Sequence, residues 1–180
     1  LYHHNPVRID IAGTVESIAK IDKDLLYRCY HTFYNLNNMV IAIAGNFDLE
    51  ATARFIEENL KQAEKVEVTS QVPEEPREVV RSLTEQKLEV SMPLFYIGYK
   101  EEVPSVDDEL KHQIYSEMLQ SILIGRSSDL YRVLYEEELI NSSMRNEVFC
   151  GRGFFINMFT GESRKPQQVK ERLEEKIAFF

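Results

Sequence analysis

Four histidines, two cysteines and 30 acidic side chains are the groups in this chain that can bind a metal or move a proton, and their spacing decides whether they do. His3 and His4 are adjacent, so they diverge on a helix or a strand, and Asn5, Pro6 and Val7 follow them with no imidazole, thiolate or acid. His31 stands among aromatic residues with no His, Cys or carboxylate at the i+4 spacing of a helical metal site. His112 and Glu109 share a helix face, but Asp108 and Lys111 surround them and the group reads as a solvated face. Ser127 and Ser128 have no His/Asp partners implied by spacing. Gly151-Arg152-Gly153 is too short to cradle a phosphate and leads into a strand, not a helix N-terminus. The run Glu136-Glu137-Glu138 has the charge to neutralise a basic peptide, although such a run is ordinarily a helix end in water. Tyr27, Tyr30 and Tyr34 recur at helical spacing and read as packing. No catalytic residue and no metal ligand is assigned.

The elements that would position a site fall into two blocks. In residues 1–60, Asp22 is placed to cap a helix from about Lys23 to Tyr34 with Leu26, Cys29, Tyr30 and Phe33 on one face. Met39 to Ala44, an apolar run between Asn-Asn and Gly-Asn turn signals, suits a strand covered on both faces. Asp48 then caps a helix with a buried stripe of Ala51, Phe55, Ile56 and Leu60. Lys61 to Glu85 is rich in Glu and Lys, carries Pro73 and Pro76, and reads as a linker in which Glu78 to Leu83 has the pattern of an edge strand.

From residue 86 a strand is expected at Lys87–Met92, continuing after Pro93 as Leu94–Tyr99. Pro104 and Ser105 open a long helix that buries Leu110, Ile114, Met118 and Ile122, with Tyr115 and Leu119 widening the stripe, and Gly125 closes it. Ser127 or Ser128 starts another helix with Leu130, Val133 and Leu134 inward. Val148 to Thr160 reads as a strand, with Asn141–Glu147 as its hairpin partner and Gly151 and Gly153 marking a bulge or turn. Pro166 begins a final helix with Val169, Leu173, Ile177 and Phe180 along one face.

Composition narrows the function. A net charge of −9 leaves no basic stripe for nucleic acid. No apolar run approaches the roughly 20 residues of a membrane span. Cys29 and Cys150 form no C-x-x-C pair and read as buried, reduced thiols, which with the lack of a leader-like start places the protein in the cytoplasm by default.

Several motifs together are similar to one family. Ala12-Gly13-Thr14-Val15-Glu16-Ser17-Ile18, the helix ending in Tyr34-Asn35-Leu36-Asn37-Asn38-Met39, and the run closing on Gly45-Asn46-Phe47-Asp48 resemble the middle of the insulinase/pitrilysin family of zinc peptidases. Gly125 to Ile140, G-R-S-S-D-L-Y-R-V-L-Y-E-E-E-L-I, resembles the start of that family's second structural half. Leu134 to Asn141 is closer still to a bacterial processing-peptidase-like branch with L-Y-E-E-G-L-I-D, in which Gly stands where this chain has Glu138. The family's H-x-x-E-H metal motif and its distal Glu all precede the G-T-x-E stretch, so the resemblance makes this chain a central fragment that lacks the metal motif. Catalytic members also carry an Arg and a Tyr in the second half that clamp substrate across the closed shell. Here the Arg position matches Tyr135 and the Tyr position falls on Ser142 or Ser143.

The reading is therefore α+β, with helices on one face of mainly antiparallel sheets in parts of two related half-shell domains. Residues 1–60 are expected to be the C-terminal part of the first half-domain, 61–85 a linker, and 86–180 the N-terminal part of the second. By resemblance, the parent is a zinc-dependent peptidase that traps an unfolded peptide as an added strand, while a metal-bound water attacks under the general base of H-x-x-E-H. This chain would supply walls and scaffold without zinc of its own. The alternatives are an interaction subunit of a metal-less member or a freestanding peptide-binding domain. The expected partners are the remainder of its own polypeptide, the peptide, and a related subunit in a homo- or hetero-dimer, with neither nucleic acid nor membrane.

Overall fold

The computed structural model describes residues 1–60 and 68–179, and the chain divides into two compact units. One, the inserted unit, is Asp10–Gln71; the other, the sheet unit, joins Leu1–Ile9 to Val72–Phe180. Part of the expected linker, residues 61–67, and Phe180 lie outside the described residues.

The inserted unit is built from α1 (Val15–Ile18), α2 (Lys23–Phe33) and α3 (Leu49–Asn59). Each starts on a side chain that supplies the acceptor missing from the first turn. Thr14 and Ser17 form a reciprocal capping box, Asp22 Oδ1 accepts from the Leu25 amide at 2.7 Å, and Asp48 Oδ1 accepts from the Ala51 amide at 2.8 Å.

Met39–Ala44 differs from expectation: it forms no strand. A strand covered on both faces needs neighbours for its ladder, and among the described residues none runs beside it. No described residue of this unit is buried, and Phe55 and Leu60, expected inside, are exposed.

The sheet unit contains β1 (Leu94–Lys100), α4 (Glu109–Ile124), α5 (Asp129–Glu136), β2 (Arg145–Gly151), β3 (Phe154–Glu162) and α6 (Pro166–Phe179). Its sheet is antiparallel in the order β1-β3-β2. Phe95, Ile97 and Phe159 project from one face into a core with Leu123, Ile124, Leu130, Leu134, Val169 and Leu173. The fold is thus mixed α+β with helices on one face of an antiparallel sheet, as the sequence implies.

The strand expected at Lys87–Met92 is absent, and β1 starts only at Leu94. Its partner explains why: β3 ends at Glu162 opposite Leu94, the Ser163 amide donates to the Pro93 carbonyl at 3.0 Å, and Pro166 opens α6, so nothing remains to pair further upstream. Glu78–Leu83 likewise forms no strand. The single strand expected over Val148–Thr160 is a hairpin turning at Arg152–Gly153, where Gly153 takes φ 76°, a left-handed value suited to glycine.

The largest departure is the register of α4, which starts at Glu109, not Pro104. Its buried residues are Ser116, Gln120, Leu123 and Ile124, while Leu110, Ile114, Met118 and Ile122 are exposed, Met118 by 57%. A polar network turns the helix this way. Gln120 Nε2 donates to the Glu147 carbonyl at 3.1 Å and to Asn157 Oδ1 at 2.6 Å, and Gln120 Oε1 accepts from Asn146 Nδ2 at 3.2 Å. Only 2% exposed, this amide is fully engaged on the sheet, which leaves the apolar stripe outside. Among the described residues, no helix is long and apolar enough to cross a membrane.

Candidate functional site: the open sheet face and the α5 turn

Cross-strand partners share a face of a sheet, so the register defines the side opposite the helices. Leu94, Tyr96, Gly98 and Lys100 of β1, Ile156, Met158, Thr160 and Glu162 of β3, and Arg145, Glu147 and Phe149 of β2 line it. One row crosses the sheet as Tyr96, Thr160 and Arg145. Tyr96 is 72% exposed, and Phe149 and Leu94 are about half exposed. The row sets an aromatic face, a hydroxyl and a guanidinium side by side, an apolar surface flanked by hydrogen-bond donors. Arg145 Nη1 donates to the carbonyls of Ser142 at 2.7 Å and Met144 at 2.8 Å, which fixes the guanidinium beside the loop between α5 and β2.

The last turn of α5 and that loop hold the positions matched to a substrate clamp. Tyr135 lies in the last turn of α5, 52% exposed, with its ring stacked on Tyr131 at 6.1 Å. Ser142 is exposed, whereas Ser143 is half-buried and its Oγ accepts from the Glu162 amide at 3.0 Å. Among the described residues no hydrogen bond links Tyr135 to either serine.

The other candidates fall where simple packing or solvation places them. His112 Nε2 meets Glu101 Oε2 at 3.1 Å and its ring lies edge-on to Phe155, while Glu101 Oε1 also accepts from Asn157 Nδ2. His31 sits between Tyr27 and Tyr30 on α2. Ser128 Oγ caps α5 by accepting from the Tyr131 amide at 3.1 Å. Glu136 and Glu137 pair with Arg132 and Arg172, respectively, at 3.3 Å. Glu138 takes φ 55°. The Cys150 thiol is pushed up by burial first and by Glu109 and Glu117 next, which disfavours its thiolate. Among the described residues no group of three or more His, Cys, Asp or Glu is arranged to hold a metal ion.

One site gave no signal in the sequence. Glu75, in the expected linker, accepts from three consecutive amides: His3 at 2.5 Å, His4 at 2.8 Å and Asn5 at 2.9 Å. Lys100 Nζ joins it at 3.1 Å, and the two side chains are only 10% and 7% exposed. Burial alone would raise the Glu75 carboxyl, but the three amides and the ammonium outweigh it and hold the pKa at about 2. The contact spans some 70 residues of chain, and nothing in Pro73-Glu74-Glu75-Pro76 distinguishes one glutamate from the other.

Comparison with known proteins agrees with this architecture. Residues 20–179 match the family described as the Peptidase M16 inactive domain. Over 176 residues the chain is 36% identical to the zinc protease YmfH of Bacillus subtilis (strain 168), covering 95% of this chain and 41% of that protein. The crystal structure of an M16-like peptidase from Alicyclobacillus acidocaldarius superposes with a TM-score of 0.90 at 33% identity, over 98% of this chain and 43% of that one. The chain therefore spans about two-fifths of the length of each relative. With the family match over most of its length and a shared fold, this chain belongs to the M16 peptidase family as its inactive domain.

Proposed function

We propose that this chain is the non-catalytic scaffold and substrate-chamber wall of a zinc-dependent, peptidase-like protein that encloses and hydrolyses unfolded peptides. The observation that carries this reading is the open sheet face, where exposed Tyr96 and Arg145 flank half-buried Thr160 in one row. An extended peptide laid against that face meets an aromatic surface, and any main-chain carbonyl within reach of Arg145 has a fixed donor. By the resemblance, the metal of the parent protein belongs to other parts of its polypeptide. Those parts also cover the exposed stripe of α4 and the exposed faces of α2 and α3, because apolar surface of this extent is ordinarily buried against a partner. Cys29, expected to be buried, is exposed and Cys150 is half-buried; as free thiols both suit the cytoplasmic setting proposed for the chain.

Tyr135 and Ser142 favour a second reading, since they stand where the resemblance expects Arg and Tyr. A chain without that clamp suits an interaction subunit that pairs with an active relative in a dimer. One experiment on the whole protein separates the readings. A photo-crosslinking amino acid at Tyr96 is challenged with a labelled unfolded peptide, and hydrolysis is followed in parallel. Crosslinking with hydrolysis supports the chamber wall, crosslinking without hydrolysis the partner subunit, and no crosslink contradicts the assignment of the open face.

A further inference from the structure

The inserted unit has a side-chain cap at the start of each of its α-helices, yet none of its described residues is buried. Its most apolar stretch is also its least engaged. Met39, Val40, Ile41 and Ile43 are between 47% and 93% exposed. Among the described residues no hydrogen bond reaches the backbone of Val40 to Ala44. Water can satisfy those main-chain groups but not the apolar side chains beside them, whereas a sheet satisfies both. The residue pattern says which place in a sheet. Successive side chains of a strand point to opposite faces, so Met39, Ile41 and Ile43 would take one face and Val40, Ala42 and Ala44 the other. Both faces are then apolar, as in a strand covered above and below. From Leu36 to Phe47 there is no charged residue and no proline, the devices that ordinarily protect an edge strand from unwanted pairing. Such a run suits an inner strand with a neighbour on each side.

We propose that Met39–Ala44 is an inner strand of a β-sheet whose other strands come from the remainder of the same polypeptide, and that the inserted unit closes its core only on that sheet. The chain spans about two-fifths of the length of each relative, so a larger protein of that kind has chain enough to supply the neighbours. The apolar face of α2, with Leu26, Tyr30 and Phe33 each more than half exposed, then has a sheet to pack against. This pairing rests on the larger polypeptide of the proposed function and not on peptide binding at Tyr96, so a failed crosslink there leaves it standing.

Amide hydrogen exchange without peptide, compared between the whole protein and the 180-residue chain, tests this. In the whole protein the amides of Val40, Ile41, Ala42 and Ile43 should exchange about a hundredfold more slowly or better, because an inner strand engages consecutive amides on alternate neighbours. Ile97 and Phe159, already paired within the sheet unit, should change far less. Fast exchange at all four amides in the whole protein overturns the proposal. Protection of alternate amides only makes the run an edge strand and overturns its inner place. Protection already present in the 180-residue chain overturns the need for outside strands, and if that protection rises with concentration the neighbour is a second copy.

Discussion

The Leu139 amide donates to the Leu134 carbonyl at 2.9 Å, closing α5 around Glu138, whose own amide donates to the Tyr135 carbonyl at 3.1 Å. These two bonds make the helix end that glycine normally occupies at its left-handed position, and Leu134 and Leu139 are both buried against it. Glu138 holds φ 55° there, at the position where the similar bacterial branch has glycine. Glu138→Gly should stabilise the chain by about 1 kcal/mol, by removing a Cβ from a conformation that costs about that much. Urea unfolding measures it, and a loss of stability would show that the glutamate side chain contributes more than its backbone strain removes.

The register of α4 makes a contrast of its own. Leu123→Ala should cost roughly 2 to 5 kcal/mol, through lost transfer energy and a cavity in the core. Met118→Ala, on the exposed stripe, should stay within about 0.5 kcal/mol in the isolated chain. A larger loss at Met118 than at Leu123 would turn the helix back to its sequence-expected face.

Gln120 is the test of why that face wins. Gln120→Leu removes the partner of the Glu147 carbonyl, of Asn157 Oδ1 and of Asn146 Nδ2, and should cost about 1 to 3 kcal/mol despite the added apolar volume. If the variant is as stable as the parent, the amide network does not set the register.

What the sequence shows of this architecture is mostly local. Asp22, Asp48, Ser128 and Pro166 were legible as helix starts because a cap needs only a side chain and the amides two or three residues on. The α4 stripe was legible as apolar and misleading as buried, since periodicity identifies the apolar face of a helix and not what covers it. Met39–Ala44 reads as a strand from its residues, but a strand exists only with a partner. The clamp positions Tyr135 and Ser142 were legible by resemblance alone. The Glu75 cluster was not legible at all: Glu75 meets His3, His4 and Asn5 only in the folded unit, and main-chain donors leave no trace in residue type.

The Glu75 cluster also has a pH signature. The folded Glu75 carboxyl titrates at about 2, below its ordinary 4.5, so its hold on the His3, His4 and Asn5 amides is complete above the ordinary value. It fades as pH falls from there through the folded value, where protonation removes the acceptor's charge. Exchange at the His3, His4 and Asn5 amides, corrected for intrinsic pH dependence, should therefore lose protection between about pH 4 and pH 2, while Glu75→Gln should show no such step. An identical step in both proteins would assign the transition to another carboxylate.

The most direct test of the scaffold reading combines zinc analysis with peptide hydrolysis by the homogeneous isolated chain. After incubation with zinc and dialysis, the account predicts far less than about one zinc per chain and no cleavage of an unfolded peptide, with or without a chelator. About one tightly held zinc per chain, together with hydrolysis that a chelator abolishes, would contradict it.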